Sequence, residues 1–368
     1  MKLTPVARWT RGARWVFLLL LSLVLAYGLE RAGLPAALLL GPMLAGIALA
    51  VQGAAVAMPP VPYFLSQAVI GCLVASAITR AILLTFYADW PLFLGLVSAT
   101  LLLSALSGWA ISRLRILPGT TAVWGSTPGG ATAMVLMSAS YGADPRLVAF
   151  MQYSRVMLVA LAASLVARLW VDPGATAVPI VWFPPMDWQG GLTLLLLVPG
   201  GAWLGRRLRL PAGPMLVPLV AGSILNIMGV TRLELPEWLL AGSYMIVGWT
   251  IGLRFTRESL RHAARAMPQT LAATLILIAF CGGLAWILVR TAGVDPLTAY
   301  LATSPGGMDS VAIIAASSKV DLPFVMTLQT VRLFLVLMLG PALARLIARL
   351  VPPLDQPGRA PADESRVG

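Results

Sequence analysis

Long apolar stretches alternate with short polar or basic connections along almost the whole chain. The apolar stretches are residues 15–29, 35–52, 63–79, 91–112, 119–142 and 146–170, and then 190–208, 211–229, 238–253, 268–290, 297–317 and 322–350. Most approach the roughly 20 residues that an α-helix needs to cross the hydrocarbon core of a bilayer. A transmembrane barrel would instead show short segments of alternating hydrophobicity. The pattern therefore predicts an all-α, polytopic membrane protein.

Composition and charge agree with this prediction. Hydrophobic residues make up 59% of the 368 positions and charged residues only 11%, which is more apolar side chain than a water-soluble fold can bury. The net charge is +12, and many of the basic residues lie in short clusters such as Arg113/Arg115, Arg206–Arg209 and Arg254–Arg265. Basic connections of this kind mark the cytoplasmic side of a membrane. No stretch is long and polar enough for a DNA-binding domain, so we expect no direct contact with nucleic acid.

The chain carries an internal duplication. Residues 118–168 align without a gap onto residues 295–345 at an offset of 177, with fifteen of 51 positions identical. Rare polar residues match as well as Leu and Ala, which is much harder to obtain by chance. Within this alignment, Asp144 matches Asp321, Gln152 matches Gln329, and Arg155 matches Arg332. Gly71 and Gly248, which lie before the aligned ranges, match at the same offset.

The duplication predicts five parts. They are a cytoplasmic N-terminal segment (1–14), a first membrane repeat (15–172), a linker (173–189), a second membrane repeat (190–350) and a disordered, Pro-rich tail (351–368). The N-terminus resembles a signal peptide, but no A-x-A-like cleavage site follows it, so we interpret the first apolar stretch as an uncleaved helix.

The fifth apolar stretch of each half contains a Pro-Gly-Gly motif, STPGG at 126–130 and TSPGG at 303–307. Proline removes a backbone donor and glycine weakens a helix, so we expect a broken or re-entrant helix in each half. Irregular backbone at membrane depth occurs only where protein or a water-filled cavity covers it. The two motifs are therefore predicted to meet in one shared site.

The basic clusters constrain the topology. With a cytoplasmic N-terminus and about five crossings per half, all of the basic clusters lie on the cytoplasmic side of the membrane, as does the C-terminus. Six crossings per half would place residues 206–209 and 254–265 outside. An odd number of crossings makes the two repeats inverted relative to each other, an arrangement typical of secondary transporters with broken helices at the midplane. Which segment fails to cross completely stays open.

Residues around the two breaks form the candidate substrate site. A break frees helix N-terminal amides that attract anions, and neighbouring hydroxyls add ligands. The alternative is a packing kink at which glycine allows close approach of another helix. The candidates are Ser126, Thr127, Pro128, Gly129, Gly130 and Thr132 in the first copy, and Thr303, Ser304, Pro305, Gly306, Gly307 and Ser310 in the second.

Asp309 follows the second break, whereas the first copy has Thr132 at the matching position. A carboxylate at membrane depth is costly and often functional. We interpret Asp309 as the carrier of a coupled proton or sodium ion. The alternative is that it only stabilises the dipole of the helix that begins there.

Arg155 and Arg332 lie near the middle of the last apolar stretch of each half, with Gln152 and Gln329 three residues earlier on the same helix face. A guanidinium keeps its charge, so near the bilayer centre it needs a partner or an anion. One interpretation is an anionic substrate held between arginine and the amides of the break. The others are an ion pair of Arg332 with Asp309, or side chains that extend to the membrane surface.

The sequence gives no sign of an enzyme. Metal catalysis needs clustered His, Cys or carboxylate side chains, and neither such a cluster nor a nucleotide-binding or hydrolase motif is present. We therefore expect no catalytic residues, no metal site and no cofactor. Asp144 and Asp321, which directly precede the last apolar stretch of each half, are predicted to be helix N-caps.

The duplicated pattern resembles the AbrB family of bacterial inner-membrane proteins. The resemblance lies in LLLGPMLAG at 38–46, TPGGATAM at 127–134 and the stretch 302–336 with its PGG, Asp and Q-x-x-R. Family members often carry an acid shortly after PGG, and this chain has one in the second copy alone. The resemblance implies a membrane protein named for regulating expression of the aidB gene, and some members carry an ammonia monooxygenase label. At fold level, the repeats are similar to sodium/proton antiporters and bile-acid symporters.

These observations lead to a functional prediction. We expect a multi-pass protein of the bacterial inner membrane that transports a small anionic metabolite together with a proton or sodium ion. The alternative is a membrane-embedded regulator or sensor that affects gene expression indirectly. The expected partners are the small-molecule substrate, the coupling ion and the lipid bilayer. The sequence leaves open whether the chain forms a homodimer.

Overall fold

The protein folds as a set of packed helices. The structure, a computed structural model, describes residues 9–32, 36–80, 84, 87–113, 117, 120–127, 134, 138, 143–170, 183, 187–210, 212–230, 233–264 and 267–350. Within these residues there is no β-strand. The helices are α1 (Arg11–Arg31), α2 (Ala37–Val51), α3 (Pro60–Ala77), α4 (Trp90–Arg113), α5 (Thr121–Ser126), α6 (Pro145–Trp170), α7 (Trp188–Arg207), α8 (Gly213–Ile227), α9 (Glu237–Gly252), α10 (Arg257–Ala263), α11 (Met267–Ala292), α12 (Pro296–Thr303), α13 (Met308–Ala316) and α14 (Leu322–Leu350).

Five of these helices are long and apolar enough to cross a membrane. They are α1, α3, α4, the Pro145–Val166 part of α6, and α11. Large apolar side chains on their outer faces are exposed, as with Val24 (67%) and Trp286 (62%). An exposed apolar surface of this extent is compatible with a membrane protein, in which lipid covers it.

The described helices follow the predicted apolar stretches closely. Most of the predicted stretch 119–142 and nearly all of the linker and tail lie outside the described residues. The basic stretch after α9, which the sequence predicts as a loop, contains the short helix α10. This helix packs against the start of α6, where an exposed ion pair joins Arg146 to Glu258 at 3.2 Å. Such a pair contributes little by itself, but the Phe150 and Phe255 rings also meet beside it.

Two helix pairs join the sequence halves. In each pair, the second helix of one half packs on the third helix of the other half. Helix α9 packs on α2, and α3 packs on α8. In each pair, glycines let the helices approach closely, and one glycine of each pair matches in the duplication. A Cβ atom at Gly248 would lie 2.5 Å from the carbonyl oxygen of Leu39, and one at Gly71 would collide with the carbonyl oxygen of Met215. The two glycines match at the offset of 177, and Leu39 matches Met215 at an offset of 176, at which residues 34–49 align onto residues 210–225. Both halves therefore use the same close contact.

The remaining long helices form a second group around α4, α6, α11 and α14. Helix α4 packs on α5 and α14, and its counterpart α11 packs on α12 and α6. The group meets the first group mainly where α13 and α14 contact α3. Helix α1 packs on α2, and α7 packs on α8 and α3, so the first group consists of α1, α2 and α3 from the first half and α7, α8 and α9 from the second.

The starts of α6 and α14 are fixed in the same way. Asp144 accepts hydrogen bonds from the backbone amides of Arg146 and Leu147 at the start of α6. Asp321 accepts one from the amide of Phe324. These contacts confirm both predicted N-caps. The amide of each aspartate also donates to a threonine hydroxyl of the preceding short helix, Thr121 in α5 at 3.0 Å and Thr298 in α12 at 3.1 Å.

The glycine contact gives a first test. We expect Gly248→Ala to lower the free energy of unfolding by about 1–3 kcal/mol, because the added methyl group has no room against the backbone of α2. The measurement is the thermal midpoint of the purified protein in detergent. Gly242→Ala, on the same helix α9 with open space at its Cβ position, should be neutral or slightly stabilising, since alanine favours the helix. Equal midpoints for the two variants would contradict this packing.

Candidate functional site

The second Pro-Gly-Gly motif lies between two short helices. Helix α12 ends at Thr303 and α13 begins at Met308, and the four residues between them are not helical. Gly307 is the N-cap of α13, and among the described side chains none caps that helix start. Where a helix ends, its last carbonyl groups lack helical partners, and where one begins, its first amides do. The break therefore exposes both kinds of backbone group in the protein interior.

The first motif is described only up to its start. Helix α5 ends at Ser126, and Thr127 is its C-cap residue. Pro128, Gly129, Gly130 and Thr132 lie outside the described residues.

Two glutamines bind the carbonyl groups at these helix ends. The side-chain amide of Gln329 donates to the carbonyl oxygens of Leu301 at 2.7 Å and Ser304 at 3.3 Å. In the first copy, Gln152 donates to the carbonyl oxygens of Trp124 at 2.8 Å and Thr127 at 2.9 Å. Each of these residues in one copy matches its counterpart at the offset of 177. The same side chain thus closes the same helix end twice.

The two arginines complete the closure. Arg155 donates to the carbonyl oxygens of Ser126 at 2.9 Å and Thr127 at 3.4 Å. Arg332 donates to the carbonyl oxygens of Ser304 and Gly306, the latter at 2.6 Å. A cation beside carbonyls at a helix C-terminus is also favoured by the helix dipole. Backbone carbonyls are a partner that the sequence interpretations of these arginines did not include.

Both arginines are buried. Arg155 is 4% exposed and Arg332 is 6% exposed, so their side chains do not extend to the protein surface. Among the described side chains, no carboxylate lies within ion-pair distance of either guanidinium. Asp309 is the second residue of α13, and its side chain lies outside the description. The predicted pairing of Arg332 with Asp309 therefore stays a prediction.

The predicted hydroxyl ligands are close to the breaks, but three of them are already donating. Thr127 donates to the carbonyl oxygen of Val123 at 2.8 Å. Thr303 donates to the carbonyl oxygens of Cys281 and Ala299. Ser304 donates to that of Leu301 at 3.0 Å. Their oxygen atoms remain available to accept, which is the property a cation or a protonated group needs. Pro305 and Ser310 are buried beside them.

Sequence reasoning missed a group of hydroxyls on the neighbouring helices. A cavity beside Arg155 and Ser126 is lined by Ser104 and Ser107 of α4 and by Thr270 and Thr274 of α11. Each pair is spaced three or four residues apart, so both hydroxyls share a helix face. Paired hydroxyls on one face of an apolar helix were the available signal. The described residues contain no group of three or more His, Cys, Asp or Glu able to hold a metal ion.

Fold and site together define a class of helical protein. Several of its helices are long enough to cross a membrane, and in each half one short helix ends at carbonyl groups that a glutamine and an arginine bind. The chain belongs to the AbrB family, since the family model described as "Transition state regulatory protein AbrB" matches residues 38–348. This confirms the resemblance seen in the sequence.

Two curated relatives extend this result. The chain is 49% identical over 341 residues to a protein of Escherichia coli (strain K12) named "Putative regulator AbrB", covering 92% of this chain and 98% of that protein. It is 25% identical over 309 residues to "Uncharacterized protein YhjN" of Bacillus subtilis (strain 168), covering 78% of each. No solved structure matches the chain significantly.

Closure of the helix end gives a second test. We expect Gln329→Leu to lower the free energy of unfolding by about 1–3 kcal/mol, because buried carbonyl groups lose their donor. The measurement is again the thermal midpoint in detergent. Thr330→Val is the matched control, since the neighbouring Thr330 is also buried and its hydroxyl makes no hydrogen bond in the described part of the chain. If both variants unfold at the same temperature, the glutamine does not stabilise the break.

Proposed function

We propose that the protein is a secondary transporter of the bacterial inner membrane, moving a small anionic metabolite together with a proton or sodium ion. The observation that carries this proposal is the pair of closed helix ends at Gln152/Arg155 and Gln329/Arg332. They repeat the same buried polar arrangement in both halves of an otherwise apolar protein. Interrupted helices that meet at membrane depth are characteristic of secondary transporters.

The proposed transporter is built from two inverted repeats. Phe93 near the start of α4 contacts Phe324 near the start of α14, with 5.4 Å between the ring centroids. At its other end, α4 leads within eight residues to Thr121, which binds Asp144 where α6 starts. A helix of 24 residues spans about 36 Å. These contacts support opposite directions for α6 and α14, and hence inversion.

The charges at the centre favour an anionic substrate. Each guanidinium carries a full positive charge, whereas a helix C-terminus offsets roughly half a charge and the start of α13 adds roughly half a positive one. Among the described groups, the two guanidiniums contribute two positive charges, the ends of α5 and α12 remove roughly one, and the start of α13 adds roughly half of one. The net charge of the centre is therefore roughly +1.5 before Asp309 is counted. An ionised Asp309 would reduce this excess to roughly +0.5.

Asp309 is proposed to couple the ion to the anion. When it is protonated, the centre is more positive and attracts an anion more strongly, so proton and anion travel together. A sodium ion bound by the carboxylate would act in the same direction. The position of Asp309 in the first turn of α13, next to the break, supports this role.

Coupling is tested by Asp309→Asn. Proteoliposomes are screened with radiolabelled small carboxylates, amino acids and amines under an imposed proton or sodium gradient. We expect the wild type to accumulate one class, and Asp309→Asn to lose gradient-driven accumulation while still exchanging labelled for unlabelled solute.

The control for this experiment is Asp295→Asn. Asp295 caps α12 by accepting from the amides of Leu297 and Thr298, and asparagine caps a helix equally well. Unchanged accumulation with an unchanged ion dependence in Asp309→Asn would rule out the coupling role.

The inverted topology is tested with a matched pair of sites. Arg113 ends α4 and Arg290 lies near the end of α11, at the offset of 177, and both are exposed. The native Cys72 and Cys281 are fully buried, so they should not react. We expect a membrane-impermeant maleimide to label Arg290→Cys in intact right-side-out vesicles, and Arg113→Cys only after permeabilisation. Labelling of both from the same side would exclude inversion.

A regulatory role is the second candidate, favoured by the names of the family and of the Escherichia coli relative. In this proposal the protein changes gene expression indirectly. Transcripts of a deletion strain are compared with and without an external supply of the metabolite that the uptake screen identifies. Restored expression on supply indicates that regulation is secondary to transport. Expression that stays altered despite supply favours a sensor.

A further inference from the structure

The surroundings of the two buried arginines differ, although the arginines themselves match. Beside Arg155, the described structure has a cavity of about 20 Å³ that reaches Ser104 and Ser107 of α4 and Thr270 and Thr274 of α11. At the offset of 177, the counterparts of these four residues are Cys281, Leu284, Phe93 and Val97. None of these counterparts carries a hydroxyl group, so this set of four hydroxyls occurs only on the Arg155 side.

Two polar groups on this cavity wall have no hydrogen-bond partner in the described part of the chain. They are the Nε–H of Arg155 and the hydroxyl of Ser104. Both residues are nearly fully buried, at 4% and 1% exposure. An unpartnered buried donor is costly, and it usually indicates a bound water or ion. A cavity of this size has room for one water molecule or for one small ion.

The charge of the wall selects the kind of ion. Arg155 carries a positive charge that no described carboxylate neutralises, and its Nε–H can only donate. Serine hydroxyls can turn to donate as well. Donors around a fixed positive charge suit an anion and repel a cation.

We propose that this cavity is a binding site for a small monovalent anion, either a halide or the carboxylate head of a larger solute, held by Arg155 and the Ser104 hydroxyl. The proposal rests on the proposed transport function only for its interpretation as part of the substrate site. Anion binding itself requires no transport. The second copy, with Cys281 in place of Ser104, has no equivalent site among its described residues.

The test measures the thermal midpoint of the full chain, purified in detergent, against increasing sodium chloride or sodium formate at constant ionic strength. Sodium methanesulfonate, whose anion is neither a halide nor a carboxylate, makes up the balance. We expect a saturable rise in the midpoint with chloride or formate, because a ligand that binds only the folded state stabilises it. A lower half-saturating concentration for formate indicates a carboxylate head, and a lower one for chloride indicates a halide.

The decisive comparison uses two serines of α4. Ser104→Ala removes the hydroxyl from the cavity, and we expect the half-saturating concentration to rise at least roughly tenfold, the effect of one hydrogen bond to a charged ligand. Ser112→Ala is the control, because Ser112 is also buried on the same helix, its hydroxyl has no partner among the described residues, and it does not line the cavity. It should titrate as the wild type does. Arg155→Lys, which keeps the charge but lacks the Nε–H, should weaken binding as Ser104→Ala does.

The outcomes separate this proposal from the proposed transport function. A wild type without saturable stabilisation, or identical titrations for Ser104→Ala and Ser112→Ala, overturns the anion site. Selective anion binding in a protein that moves no solute in proteoliposomes keeps the site and removes the transporter. Weakened anion binding in Ser104→Ala together with unchanged solute uptake keeps the anion site and the transporter, and overturns only the interpretation of the cavity as part of the substrate site.

Discussion

The hydrogen bonds that close two interrupted helix ends are the constraint on which the centre of this protein depends. A helix that stops inside an apolar protein leaves carbonyl groups without partners, and in a membrane no bulk water replaces them. Gln152 and Gln329, buried and directed at those carbonyls, supply the missing donors. Each break and the glutamine that lies 25 to 28 residues later in the chain are therefore one structural unit, since a buried carbonyl without a donor is costly.

Closing these ends with arginine has an electrical consequence. Glutamine alone would satisfy carbonyl oxygens without adding charge, yet each end also receives a guanidinium from Arg155 or Arg332. Carbonyl dipoles offset only part of that charge, so the centre keeps a positive excess. This excess supports the anion in the proposed function, and the uneven distribution of hydroxyls supports its position on the Arg155 side.

The helices outside this centre provide the frame. Close backbone contacts at Gly71 and Gly248 join the two halves through α3, α8, α2 and α9. The helices that carry the closed ends form a separate group that meets this frame mainly at α3. This division into a frame and a second group supports the proposed transport, in which one group would move against the other around a fixed site.

The sequence by itself predicted the helical class, most helix positions, the duplication, the two N-caps and the candidate residues around the two breaks. These follow from local hydrophobic pattern, from proline and glycine, and from matched rare residues such as Gln329 and Arg332. Only the tertiary structure decided what those residues bind. A charged side chain predicts that a partner exists, but carbonyl groups 25 to 29 residues earlier in the chain become that partner only when two helices pack side by side. The same holds for the cavity, because Ser104 and Thr274 face each other through long-range packing that no local pattern records.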